Sequence, residues 1–164
     1  MLKLLSGIAI ITFTTFCGYL FAQKYRKRKL FFAQLREFNE RFLSEIAYYR
    51  RPIGEFIASF SYQKEFEILL KEFFLNIETR SVNDLGIFDL PEYAFLTKEE
   101  KGIVQDYFLM IGKGDSASQK AYFSSVKDKL LKLQTDSENN CKRYNDLYIK
   151  IGFLCGLLIL ILII

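Results

Sequence analysis

The 164-residue sequence contains no histidine and no tryptophan, and it has only two prolines and three cysteines. Without histidine the chain lacks the usual general base of hydrolytic enzymes, the commonest metal ligand and the histidine-dependent nucleophilic triads. The three cysteines, Cys17, Cys141 and Cys155, show no paired spacing, so we expect neither a disulfide nor a metal site. These absences predict a protein that is not an enzyme and that holds no metal or cofactor.

Two remaining patterns could carry chemistry, and both have a simpler explanation. Glutamates occur in pairs, but arginine and lysine alternate with them in a way that is typical of a solvated helix face. The segment GKGD, Gly112–Asp115, lacks the G-x-x-x-x-G-K-[ST] order of a phosphate-binding loop and follows no predicted strand. It predicts the end of one helix and the cap of the next.

Charge is also missing from the N-terminal segment, residues 4–22. As an α-helix these nineteen residues are about 28 Å long, close to the ~30 Å thickness of the hydrocarbon core of a bilayer. A cleaved signal peptide carries its basic residues before the apolar stretch, whereas five basic residues follow this one. The segment therefore predicts an uncleaved transmembrane helix over residues 4–22, with residues 1–3 as an external N-terminus.

The C-terminal segment, residues 147–164, carries one charged side chain, Lys150, and predicts a second transmembrane helix about 27 Å long. A buried core helix is the alternative for an apolar run of this kind. The first span at the other end of the chain favours a second span here. Gly152 and Gly156 are four residues apart, a spacing that lets membrane helices approach closely, although chance explains the pair about equally well.

Basic residues determine the predicted orientation. Cytoplasmic loops carry the excess of lysine and arginine in membrane proteins. Lys142, Arg143 and Lys150 near the second segment agree with a larger basic cluster after the first, so the middle of the chain is predicted to be cytoplasmic and both termini to face outside. The residues assigned to topology and to contact with anionic lipid headgroups are Lys24, Arg26, Lys27, Arg28 and Lys29.

Nucleic acid is not an expected partner of the predicted cytoplasmic part. When Lys3, Lys150 and the five-residue cluster are set aside, 16 basic and 19 acidic residues remain. This balance leaves no basic face that could follow a phosphate backbone. Membrane lipids are the predicted partner of the cluster.

Residues 23–146, the predicted cytoplasmic domain, show helical periodicity and no alternating strand pattern. The first helix is expected to continue from the first span to Arg51, because neither glycine nor proline interrupts it before Pro52. A second helix is expected over about residues 62–78. A connector with turn signals follows, at Asn83–Asp84, Gly86 and Pro91.

Two further helices complete the predicted domain. The third begins at Thr97, which forms a capping-box pattern with Glu100, and ends at Gly112 and Gly114. The last is capped by Asp115 or Ser116 and continues into the second span. The apolar stripes are predicted at Phe31, Leu35, Phe38, Phe42, Ile46 and Tyr49 in the first helix, at Phe66, Leu69, Leu70, Phe73, Phe74 and Ile77 in the second, and at Tyr122, Val126, Leu130, Leu133, Tyr144 and Leu147 in the last.

The predicted fold class is therefore all-α: a helical bundle in the cytoplasm anchored by an N-terminal and a C-terminal transmembrane helix. The first and last helices are expected to pack antiparallel. The end of the first helix and the start of the last would then lie far from the membrane, about 42 Å and about 50 Å along their axes at most.

Two segments at that distal end are candidates for docking a soluble partner. Adjacent guanidinium groups suit directional, often bidentate pairing with carboxylates. A plain turn is the alternative explanation for the charged corner, and the end of one helix followed by the cap of the next is the alternative for the second segment. The predicted partner-docking residues are Arg50, Arg51 and Pro52 in a charged corner, and Gly112, Gly114 and Asp115 in the turn before the last helix.

The order and spacing of several motifs resemble one known family. LREF, EIAYYRRPIGE, LTKEE, IGKGD, the glutamine at 119 and GFLCGLL follow one another as in the stage III sporulation protein AB family of endospore-forming bacteria. The resemblance covers roughly residues 1–56 and 96–164, including both spans, whereas residues 57–95 carry little of it. The chain departs from the pattern at four positions, Tyr49, Ile53, Phe56 and Gly114.

The resemblance implies a role in the complex that connects the mother cell to the forespore. It implies a multi-pass membrane location with the helical domain in the mother-cell cytoplasm, similar to the cytoplasmic domains of the type II secretion platform protein F. The implied partners are the sporulation ATPase, stage III sporulation protein AA, and other membrane components of the same channel. A membrane-anchored sensory or regulatory protein unrelated to secretion is the alternative.

Overall fold

The computed structural model describes residues 2–49, 51–78 and 90–163. Within these residues every regular element is helical, and 87% helix content makes the fold all-α. The elements are α1 (Leu2–Ser44), a π-helical turn (Glu45–Tyr49), α2 (Ile53–Ala58), α3 (Lys64–Glu78), a 3-10 turn (Pro91–Tyr93), α4 (Lys98–Leu109) and α5 (Ser116–Ile163).

The end of the first helix differs from the expectation. The α-helical geometry stops at Ser44, and the chain continues to Tyr49 as a wider π-helical turn. Pro52, with φ −54° and ψ 140°, then precedes α2, a helix of only six residues that the sequence pattern did not predict. Proline suits this position because the residue at the start of a helix does not need to donate a backbone N–H hydrogen bond. The turn signals at Asn83–Asp84 and Gly86 lie outside the described residues.

The predicted start of α4 is confirmed. The Thr97 hydroxyl accepts a hydrogen bond from the Glu100 backbone N–H at 3.2 Å, and the Glu100 carboxylate accepts one from the Thr97 N–H at 2.9 Å. Glu100 is buried, so this capping box also gives a buried carboxylate its partner. α4 therefore starts at Lys98, directly after Thr97.

The chain divides into two compact units, which we call the bundle unit, Leu30–Gln134, and the paired-helix unit, Met1–Lys29 with Thr135–Ile164. The bundle unit has an aromatic core in which Phe38 contacts Phe42, Phe56 and Phe66 at ring-centroid distances of 5.5–6.0 Å. Its members come from all five α-helices, from the 3-10 turn and from the segments that connect these elements. Burial of these large rings is the main favourable term holding the helices together.

One polar residue lies at the centre of this core. The Asn39 side-chain amide donates to the Phe123 carbonyl oxygen at 3.3 Å, and the Tyr107 hydroxyl donates to Asn39 Oδ1 at 3.1 Å. The nitrogen and the oxygen of this fully buried side-chain amide each have a hydrogen-bond partner, and the two bonds link α1, α4 and α5.

The stripe predicted on the last helix was partly wrong. Phe123 is fully buried, whereas Tyr122, predicted in its place, is only partly buried. Leu147 is exposed. The pattern misplaced the stripe because Tyr122 and Phe123 are adjacent aromatic residues and only packing against Phe42 decides which one faces the core.

The paired-helix unit consists of the N-terminal part of α1 and the C-terminal part of α5. Contacts run in opposite directions along the two helices, from Gly7 beside Leu160 to Tyr25 beside Tyr144. The two helices therefore pack antiparallel in this unit.

Candidate functional site

The charged corner after α1 is built around a buried carboxylate. Glu45 lies in the π-helical turn, and its side chain is 5% exposed. Arg51 donates to it from Nη2 at 2.6 Å, from Nε at 3.1 Å and from the backbone N–H at 2.9 Å. The hydrogen bonds from Arg51 lower the pKa of Glu45, although burial alone would raise it. This ion pair joins the two ends of the segment that connects α1 to α2.

This arrangement changes the interpretation of Arg51. The sequence predicted a guanidinium that would bind a carboxylate on a partner, whereas the structure directs it to the chain's own Glu45. Reversing its charge would place two carboxylates together, so we expect such a variant to lose stability. Arg50 lies outside the described residues, and Pro52 is exposed.

The corner and the turn before α5 meet at one cleft in the bundle unit. The cleft encloses about 240 Å³, and its walls come from the end of α1, from α2 and from the first turn of α5. Both predicted docking segments contribute, through Arg51 and Gly112. The lining residues are Phe42, Glu45, Ile46, Arg51, Ile53, Phe56, Ile111, Gly112, Ser116 and Gln119.

The turn that forms one side of the cleft depends on two glycines. Gly112 and Gly114 have φ values of 79° and 80°, in the left-handed region that other residues rarely adopt. Asp115 then caps α5, because its Oδ1 accepts a hydrogen bond from the Ser118 N–H at 2.9 Å. Bonding to Ser118 lowers the pKa of Asp115, and a carboxylate at this position interacts favourably with the helix N-terminus. All three residues are exposed.

A larger groove of about 430 Å³ lies between α2 and α3. Gly54, Phe60, Tyr62, Leu70 and Phe74 are among its lining residues. None of the residues predicted to act in docking lines this groove, so we assign the candidate site to the smaller cleft.

The five basic residues predicted at the membrane surface follow one another on α1. Lys24 and Lys29 are exposed, and Lys27 and Arg28 are partly exposed. Arg26 instead turns towards α5, where its Nε donates to Asn145 Oδ1 at 2.7 Å, and its guanidinium lies 4.6 Å from the centre of the Tyr19 ring. Arg26 therefore holds the two helices together as well as carrying charge.

The glycines predicted to pack in the membrane lie in the contact between α1 and α5. A Cβ on Gly152 would stand 2.6 Å from the Thr14 carbonyl oxygen, and one on Gly156 would stand 2.8 Å from the Ile11 Cα. Gly18 makes a similarly close approach, since its Cβ would collide with the Tyr148 carbonyl oxygen. Small residues permit this backbone contact.

The opposite faces of these two helices are apolar and exposed. α5 is the one helix in the described part of the chain that is long and apolar enough to cross a membrane, over Ser116–Leu162. The large exposed apolar side chains are Ile8, Phe13, Phe16, Tyr19, Leu20 and Phe21 on α1 and Ile151, Phe153, Leu154, Leu158, Ile159, Ile161 and Leu162 on α5. Such a surface points to membrane association.

Sequence reasoning missed several residues of these sites. Nothing local in the sequence distinguishes the buried Glu45 from the exposed Glu40. Gly18 could have been found, because Gly7, Thr14 and Gly18 recur on one helical face. In residues 2–49, 51–78 and 90–163 no group of three Cys, Asp or Glu side chains could hold a metal ion.

Comparison with known proteins identifies the family. The family model described as stage III sporulation protein AB matches residues 3–164. Searches of curated proteins and of solved structures gave no match. Since the family model covers nearly the whole chain, this protein belongs to the stage III sporulation protein AB family.

Proposed function

We propose that this protein is a non-enzymatic membrane platform of the channel between mother cell and forespore. Family membership implies a role in stage III of sporulation, and the family is not known as one of enzymes. In the proposal, two transmembrane helices, residues 4–22 and 147–164, hold the bundle unit in the mother-cell cytoplasm. The bundle unit docks the sporulation ATPase, stage III sporulation protein AA, and assembles with other membrane components of a type II secretion-like complex.

The paired-helix unit supports the anchoring part of the proposal. α1 and α5 bury glycines against each other and expose large apolar side chains on their other faces. In water this surface would be unfavourable, whereas in a bilayer it faces lipid tails. Packing between helices in lipid relies on close backbone approach, as at Gly18 and Gly152.

The cleft of the bundle unit carries the docking part of the proposal. Two segments that are about sixty residues apart in sequence line it together, one through Arg51 and Ile53 and the other through Ile111 and Gly112. Its walls combine apolar side chains with polar ones, which include the ion pair of Glu45 with Arg51. A cleft of about 240 Å³ can accept one or two apolar side chains of a partner, with polar groups that fix their orientation.

Docking is tested by filling the cleft without touching the ion pair. Ser116 is exposed and lines the cleft, so Ser116→Trp places a large ring in it. We expect the affinity of the full-length chain in nanodiscs for the purified ATPase to fall roughly tenfold or more, because the tryptophan ring would occupy the space that a buried side chain of the ATPase needs. Isothermal titration calorimetry measures the affinity.

The matched control is Ser124→Trp, at an exposed serine on the same helix that does not line the cleft. It should bind as wild type does, and circular dichroism should show the same helicity for all three proteins. Equal affinity of Ser116→Trp and wild type would remove the cleft from the docking surface. Failure of wild type itself to bind would favour a sensory or regulatory role without this partner.

A further inference from the structure

The paired-helix unit brings two basic segments of the chain to the same level. The Tyr25 ring stacks on Tyr144 at 4.8 Å and on Tyr148 at 5.9 Å. The hydrogen bond from Arg26 to Asn145 joins the helices at the same position. Cations that follow Tyr25 on α1 therefore lie beside cations that flank Tyr144 on α5.

These cations form a group that we call the basic collar. Residues 19–29 of α1 and 141–150 of α5 together contain eight basic residues and one acidic residue, Asp146. Charge of one sign at this density attracts anionic surfaces. The collar consists of Lys24, Arg26, Lys27, Arg28 and Lys29 on α1 and Lys142, Arg143 and Lys150 on α5.

The collar adjoins the exposed apolar surface of the same unit. Phe16, Leu20 and Phe21 precede it on α1, and Ile151 and Phe153 follow it on α5. Tyrosines at the boundary between apolar and charged surface are typical of the membrane–water interface, where one end of the ring is wet. If the apolar surface lies in the bilayer, the collar lies among the phospholipid headgroups.

We propose that the basic collar is a single binding surface for anionic phospholipid headgroups, formed jointly by α1 and α5. The proposal rests on the membrane placement in the proposed function and deepens it, because it makes the cations of α5 equal participants. Lys24, Lys29, Lys142 and Arg143 are exposed and reach the phosphates, while Arg26 and the tyrosine stack hold the two halves together. Basic surfaces between membrane helices on the cytoplasmic side suit such headgroups.

The test is lipid selectivity of the full-length chain. The protein is reconstituted in phosphatidylcholine bilayers with trace spin-labelled phosphatidylglycerol or spin-labelled phosphatidylcholine, and electron paramagnetic resonance measures the fraction of each that is motionally restricted. We expect several-fold preferential association of phosphatidylglycerol, weakening as salt is raised. Lys24→Gln with Lys29→Gln and, separately, Lys142→Gln with Arg143→Gln should each reduce the preference, and the fourfold variant should reduce it further than either pair.

The matched control is Lys98→Gln with Lys113→Gln, which removes two exposed lysines of the bundle unit and should leave the preference unchanged. If the Lys142→Gln, Arg143→Gln variant kept the full preference for phosphatidylglycerol, the proposal that α1 and α5 form the surface jointly would be overturned. Equal association of both lipids with wild type would overturn this inference alone. No restriction of either lipid would mean that the helices are not inserted, which would overturn the proposed function as well.

Discussion

At the scale of single residues, Glu45 shows how a buried charge is tolerated. Its carboxylate lies in a π-helical turn beside the apolar side chains of the cleft, where an unpaired charge would be strongly unfavourable. Three donors of Arg51 bond to it. π-Helical turns occur frequently at functional sites, and this one directs Glu45 inward.

Removing the partner of Glu45 should destabilise the fold in a pH-dependent way. Arg51→Met should lower the free energy of unfolding by about 1–3 kcal/mol near neutral pH. The buried carboxylate loses its guanidinium donors, while the backbone N–H of residue 51 remains and the exposed mouth of the cleft admits some water. Because the folded-state pKa of Glu45 is lowered, its contribution is present above the unfolded-state pKa of about 4.3 and is lost as pH falls through the folded-state pKa. Denaturant titration between pH 3 and 7 measures both effects.

Arg36→Met provides the control, because Arg36 pairs with Glu40 on an exposed helix face at 3.4 Å. Surface pairs of this kind contribute about 0.3–0.5 kcal/mol, so little change is expected at any pH. A stability difference between Arg51→Met and wild type that stays the same from pH 7 to pH 3 would show that Arg51 acts through packing and not through the carboxylate.

Phe42 is one of the residues through which α1 contacts α5 in the bundle unit. Its ring is 5% exposed and meets Phe123 edge to face at 4.9 Å. Phe42→Ala should reduce the free energy of unfolding by about 3–5 kcal/mol through lost burial and a residual cavity. Tyr48→Ala, at a ring that is 82% exposed, should change it by less than about 0.5 kcal/mol. Similar melting temperatures for the two variants would refute this assignment of the core.

At the scale of elements, the same residue type has opposite consequences on two helices. Gly18 on α1 lies where a Cβ would meet a backbone oxygen of α5, whereas Gly102 on α4 has nothing within 4 Å of its Cβ position. Glycine in a helix interior is normally unfavourable by about 1 kcal/mol relative to alanine. Only close packing explains it at Gly18.

Substitution by alanine should therefore separate the two glycines. Gly102→Ala should raise the melting temperature of the full-length chain in detergent, because it improves helix propensity by about 0.5–1 kcal/mol without a clash. Gly18→Ala should lower it, since the backbone of α5 cannot move aside as a flexible side chain would. Stabilisation by both substitutions would mean that α1 and α5 do not make this contact in the detergent-solubilised chain.

At the scale of the whole molecule, orientation is predicted to depend on the basic cluster of α1. Replacing all five of its cations by glutamine should leave part of the population inverted, because lysine and arginine bias sets topology. Labelling of Ser124→Cys with a membrane-impermeant maleimide, in a chain whose three natural cysteines are replaced by serine, reports the orientation. The cations replaced are Lys24, Arg26, Lys27, Arg28 and Lys29.

Five exposed bundle lysines replaced in the same way should leave orientation unchanged. The Ser124→Cys chain that keeps all its lysines and arginines is the reference. If this chain is labelled from outside the cell, the bundle unit is not cytoplasmic and the proposed platform cannot reach an ATPase there. The lysines for this control are Lys98, Lys113, Lys120, Lys127 and Lys129.

Features that depend on neighbouring residues could be predicted from the sequence. The all-helical fold, the capping box at Thr97 and the left-handed glycines at the turn follow from patterns that lie within one or two helical turns. The short helix α2 and the π-helical turn could not be predicted in this way. Six residues carry too little periodicity, and a π-turn arises from packing rather than from propensity.

The sequence by itself determined the family, the apolar ends and the helical character of this protein, because composition and spacing suffice for each. Tertiary structure alone decided which distant residues meet: Glu45 with Arg51 at a cleft that includes Gly112, Phe42 with Phe123, and Arg26 with Asn145, 119 residues away. The reason is physical. Helical periodicity specifies which side of a helix is apolar, but the rotation and register that pair two sides arise only when the helices pack.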